Sequence, residues 1–128
     1  MENLDLSKIV TIGIVMLVID VLFLYNYGGY LGEMIAKIQN KKFTINYPFA
    51  AICYTIMIFT FYYFITLKEG NSFDAFILGF CIYAIYETTN KATFVNWQFE
   101  AVIYDSLWGG TLFVLTKALS DTIERLKV

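Results

Sequence analysis

Apolar residues in this chain fall into four long blocks separated by short polar stretches. The blocks cover residues 9–27, 47–67, 73–89 and 101–119. A helix crossing a hydrocarbon core needs about 20 apolar residues, because its backbone must satisfy its own hydrogen bonds there. The first two blocks meet that demand outright. The third is shorter and richer in polar residues, and the fourth is amphipathic, so both rely on neighbouring helices for burial. The expectation is an all-α integral membrane four-helix bundle, one transmembrane domain over residues 1–128.

The connecting stretches carry start and stop signals. Pro48 opens the second block, where its missing N–H leaves no helical bond unmade. The tight polar turn at 68–72 offers Asn71 or Ser72 as the cap of the third helix. The one substantial loop is expected at 28–46, opening on Gly28 and Gly29, with a short interfacial helix around 31–38. The link at 91–100 contains Trp97 and suits the headgroup layer. The tail at 120–128 extends the last helix into water. Short connections favour an up-down-up-down order with both termini on one side. The lysines divide too evenly between the two sides for the positive-inside rule to choose an orientation.

Composition strengthens the membrane reading. Hydrophobic residues make up 59% of the 128-residue chain and charged residues only 16%, against roughly 25% in soluble domains. The net charge of -2 with scattered acids and bases leaves no basic face for nucleic acid. The N-terminal segment, with Glu2, Asp5 and Lys8, reads as the start of a retained helix and not as a cleaved leader. Histidine is absent, which removes the commonest general base and transition-metal ligand. Cys53 and Cys81 lie inside apolar runs at no metal-binding spacing and read as small buried hydrophobes. No cofactor is expected.

The candidate chemistry lies in polar groups at membrane depth. Asp20 interrupts the first block, Glu87 the end of the third and Asp105 the first half of the fourth. Acids in such positions face the bundle interior and often mark function. No Lys or Arg lies deep enough to pair with all three. Three options remain: they carry protons, they bind a cation or polar headgroup, or they sit near the interface bonded to Tyr, Thr, Asn and Trp donors. Asn90 could add to an oxygen-rich site, with Tyr86, Thr89 and Trp108 in support. The bland alternative is an interhelical hydrogen-bond cluster that only holds the bundle together. The tyrosines near block ends, Tyr27 and Tyr30 among them, read as an interfacial belt, and Gly79, Gly109 and Gly110 as close-packing positions.

The stretch at 83–97, YAIYETTNKATFVNW, followed by Asp105 and the pair Trp108-Gly109, resembles the DUF2177 family of predicted membrane proteins. That family has a similar core, Y-x-x-Y-D-x-T-N-x-A-T, then a Trp, then D-x-x-W-G. Asp20 with Phe23 and Leu24 resembles its early D-x-x-W-L element, and Tyr30, Ala50, Ala51 and Tyr54 also fit. Glu87 stands where the family usually has Asp, and Phe23 where it usually has Trp. The resemblance implies a membrane bundle built around the same acids and supplies no activity. Family members occur in bacteria and in some large DNA viruses.

Two function classes follow. In the first, Asp20, Glu87, Asn90 and Asp105 converge on an internal site for a proton, cation or polar lipid headgroup. In the second, the acids are structural and the protein anchors or docks a larger assembly such as a viral capsid or envelope layer. A lipid-directed enzyme comes third, since no nucleophile arrangement is visible. The expected partners are the lipid bilayer and, beyond it, a second copy or a larger membrane or particle assembly.

Overall fold

The computed structural model describes residues 4–127 and shows four helices joined by short turns. Glu2 and Val128, parts of the expected N-terminal segment and C-terminal tail, lie outside the described residues. Helix α1 spans Leu6–Gln39 and α2 spans Tyr47–Phe61, continuing as a wider π-helical stretch over Tyr62–Leu67. Helix α3 spans Ser72–Thr93 and α4 spans Phe99–Leu126. Two of these, Leu6–Gln39 and Tyr47–Leu67, are long and apolar enough to cross a membrane.

Capping explains the helix starts. Asp5 accepts from the Lys8 N–H, and Asn46 accepts from the Phe49 N–H. Asn71 and Asp74 form a reciprocal capping box on α3, with both bonds at 2.8 Å. Helix α1 does not stop at Gly28 and Gly29, where a loop was expected. It continues to Gln39 and ends on Asn40 in the left-handed conformation. Tyr30, Leu31, Met34, Ile35 and Ile38 recur at helical spacing and pack on Trp97, Ala101 and Val102. That second apolar stripe offsets the weak helix propensity of two glycines. At 1.5 Å per residue α1 is about 51 Å long, well beyond a hydrocarbon core of roughly 30 Å.

The chain runs up, down, up and down. Lys127 Nζ at the C-terminus donates to Ser7 Oγ at 2.9 Å and to Thr11 Oγ1 at 3.0 Å. The Asp5 N–H donates to the Tyr62 hydroxyl at 3.0 Å, so the turn after α2 sits at the same end. The main core joins Ile12 and Met16 of α1 to Met57 and Phe61 of α2, and to Leu112 and Phe113 of α4. Large apolar side chains cover the outside, among them Val10, Ile14, Val18, Val21, Ile52, Ile56 and Ile85. Small and polar residues line the inside, including Gly13, Asp20, Ser106, Gly109, Gly110, Thr116 and Ser120. This arrangement suits a solvent of lipid, in which small residues let helices approach and apolar ones face out. Cys53 and Cys81 are exposed on that outer apolar surface, not buried as expected.

Helices α3 and α4 approach one another closely, backbone against backbone. A methyl group added at Gly79 would collide with the backbone carbonyl of Gly109. One added at Gly110 would come within 2.5 Å of the Phe76 ring. Nothing lies within 4 Å of the same addition at Gly29.

This contrast predicts opposite outcomes for two identical substitutions. Gly79→Ala lowers stability by about 1–3 kcal/mol, because backbone must move to admit the methyl. Gly29→Ala is neutral or raises stability by up to about 1 kcal/mol through helix propensity. Unfolding of the purified protein in mixed micelles by added SDS measures both; equal effects would discard the close-packing account.

Candidate functional site

The three acids all sit in the interior: Glu87 is 0% exposed, Asp20 4% and Asp105 7%. They arrive from different elements, Asp20 from α1, Glu87 from α3 and Asp105 from α4. Among the described residues the ion pairs are Lys117–Asp121 and Lys127–Glu124, both in the last turns of α4. Asp20 and Glu87 are met by neutral donors instead.

Asp20 has both carboxyl oxygens engaged. The Trp108 indole Nε1 donates to Oδ1 at 2.9 Å, and the Tyr54 hydroxyl donates to Oδ2. One carboxyl group thereby ties α1 to α2 and to α4. Phe23, one turn along α1, stacks on the Trp108 ring with centroids 4.3 Å apart and planes 5° from parallel. The Phe23 ring thus serves as a platform against which the donor indole packs.

Glu87 and Asp105 form a second locus. Trp97 Nε1, from the turn at 94–98, donates to Glu87 Oε1 at 2.8 Å. The other oxygen, Oε2, has no hydrogen-bond donor although it is fully enclosed. The side chains of Glu87 and Asp105 lie within hydrogen-bonding reach of one another across the α3–α4 interface. The Ser106 hydroxyl, next to Asp105, and the Tyr27 hydroxyl of α1 are likewise buried without a partner. Lys91, one turn beyond Glu87, sends its ammonium to the Trp97 carbonyl at 2.6 Å and not to the carboxyl.

The remaining candidates take peripheral places. Asn90 is partly buried. The Tyr86 ring packs edge-on against Trp97, with centroids 6.1 Å apart. Thr89 is exposed, and its carbonyl accepts from the Thr93 hydroxyl at 2.9 Å. Among the described residues no three His, Cys, Asp or Glu side chains stand close enough together to hold a metal ion.

The roles of two participants escape a reading of the sequence. Trp97 looks interfacial there but is 4% exposed and serves Glu87. Tyr54 is a phenol in the middle of an apolar run, beside Thr55. Its depth was the available signal, since a phenol in lipid needs a partner. Tyr27, read as part of the interfacial belt, turns its hydroxyl inward, while the Tyr30 hydroxyl donates to Gln98 Oε1 at 2.7 Å.

The family model described as "Predicted membrane protein (DUF2177)" matches residues 6–121, and so covers all three acids and their indole and phenol donors. No curated protein and no solved structure matches the chain.

The Asp20 knot predicts coupled losses. Tyr54→Phe and Trp108→Phe each remove one donor while keeping a ring in place, and each lowers stability by about 0.5–2 kcal/mol. In an Asp20→Asn background each loss changes, because the shared acceptor has been altered. A double-mutant cycle on SDS unfolding midpoints measures the coupling; strictly additive effects would mean that the two bonds carry no energy.

Proposed function

This chain belongs to the DUF2177 family of predicted membrane proteins, and on that footing we propose that it is a four-span helical bundle that binds and passes a proton. The proposed path is an internal chain of acids: Asp20, Asp105 and Glu87, with Trp108, Tyr54 and Trp97 as fixed donors. Asn90, Tyr86 and Thr89 lie at its edge. The observation that carries this reading is the burial of three carboxyl groups from three helices with no ion-pair partner among the described residues. An acid placed in lipid without a cation is costly, and such residues commonly mark proton or ion pathways. Asp and Glu relays move protons in membrane pumps and transporters. A bound metal ion is less well supported, since the acids do not group in threes. The lipid bilayer is the working environment under this reading.

A structural role is the second reading, and one observation favours it. Asp20 has both oxygens occupied by Tyr54 and Trp108, which is what a fixed interhelical clamp requires. Under that reading the bundle serves as a membrane anchor or docking element, for a second copy or a larger assembly.

The two readings part in proteoliposomes. The purified protein is reconstituted with an enclosed pH-sensitive dye, and a proton gradient is imposed on wild type, Asp20→Asn and Asp105→Asn. The proton reading expects acidification in the wild type and a fall to the rate of empty liposomes in both variants, with helical content by circular dichroism unchanged. No flux in the wild type, with variants that only unfold more easily, would remove the proton reading and leave the clamp.

A further inference from the structure

We propose that Glu87 and Asp105 share a single proton, as a carboxylic acid hydrogen-bonded to a carboxylate across the α3–α4 interface. This deepens the proton reading by naming where the proton rests, and it rests on that reading only for its biological purpose.

The argument starts from hydrogen-bond chemistry. An ionised carboxylate is purely an acceptor, so two of them in contact have no donor between them. Glu87 and Asp105 lie within hydrogen-bonding reach. Glu87 is completely enclosed, and its Oε2 has no donor from any other residue described. Its Oε1 is already taken by the Trp97 indole. A proton on either carboxyl supplies the missing donor and leaves the pair with one negative charge in place of two. Like charges at contact distance in a medium of low dielectric repel strongly, and sharing one proton is the way paired carboxyls relieve this. The step available to the pair is a shift of that proton between the two carboxyls. The O–H bond on one breaks as the O–H bond on the other forms, and the negative charge moves the opposite way.

Among the described residues no cation faces the pair. The titratable groups facing it are Tyr27 and Asp20 of α1, Tyr54 of α2, Tyr83 and Tyr86 of α3, and, nearer Tyr27 and Tyr30, Glu100 of α4. All are phenols or acids. Lys91 is the cation placed nearest along α3, and its ammonium is held by the Trp97 carbonyl.

A cleft of about 410 Å³ borders Trp97, where Lys37, Lys91, Asn96 and Gln98 stand beside the apolar Ile38 and Val95. Trp97, whose indole donates to Glu87, thus also lines an open surface cleft. The Tyr27 hydroxyl, buried and unpartnered, is a further group of the pair's surroundings able to donate or accept.

Infrared spectroscopy of the purified protein in lipid nanodiscs at neutral pH tests this without any flux measurement. A protonated carboxyl gives a C=O stretch above the amide bands that shifts down on exchange into heavy water. The wild type is expected to show this band. Glu87→Gln and Asp105→Asn are each expected to lose it, because the new amide N–H supplies the donor that the proton had supplied. Asp20→Asn is expected to keep it. Absence of the band in the wild type overturns the proposal, and that spectrum needs no variant to fold. A band that survives both Glu87→Gln and Asp105→Asn, or one lost only in Asp20→Asn, overturns it as well. The proteoliposome assay reports separately: a band without flux removes transport and leaves the shared proton, and flux without a band does the reverse.

Discussion

The approach of α3 to α4 sets most of what happens elsewhere in this molecule. Gly79 lies against the Gly109 carbonyl, and the Tyr83 and Phe76 rings cover Gly109 and Gly110. Lipid outside the bundle removes most of the hydrophobic drive for helices to associate, so contact area and dispersion must hold them together. Missing side chains at three positions let the two backbones close on one another. That closeness also fixes a register. Two turns along α3 from Gly79 stands Glu87, and one turn back along α4 from Gly109 stands Asp105. The reach of a glutamate side chain then brings the two carboxyls together.

Around that pair of helices the other two complete an interior in which some polar atoms find partners from neighbouring helices and others, such as the Ser106 and Thr116 hydroxyls, do not. Asp20 draws a phenol from α2 and an indole from α4, and its oxygens are both engaged. Glu87 draws one indole from the α3–α4 turn, leaves its Oε2 without a donor, and lies close to Asp105. Two buried acids thus live under different constraints. A carboxyl saturated by rigid donors is suited to hold helices in place, and one with an open oxygen against a second acid is suited to exchange a proton. Aromatic rings do the orienting in both cases: Phe23 stacks beneath Trp108, and Tyr86 packs on the edge of Trp97.

Helix α1 extends this design past the bilayer dimension. Its C-terminal third leaves the main core and packs on Trp97 and Ala101 through Met34 and its neighbours. That contact keeps Trp97 in place above Glu87. The buried acid pair is therefore closed on one side by a turn whose position depends on a helix from the far end of the chain. Family membership over residues 6–121 takes in this whole assembly.

Much of this protein could be read from residue order alone. The membrane class, the all-α architecture, the helix starts at Asn71 and Pro48 and the three acids at depth all follow from local demands. Lipid accepts a backbone only as a helix and an acid only at a high cost, so apolar runs and their interruptions report directly on burial. The continuation of α1 beyond Gly28 and Gly29 was not legible, because packing on Trp97 overrides what the two glycines signal locally. Nor were the partners of the acids. Whether Tyr54 reaches Asp20, whether Trp97 turns inward to Glu87, and which carboxyls meet depend on how far one helix slides and rotates against the next. A sequence states that each buried polar group must be satisfied; interhelical register, set here by side chains that glycine lacks, decides by whom.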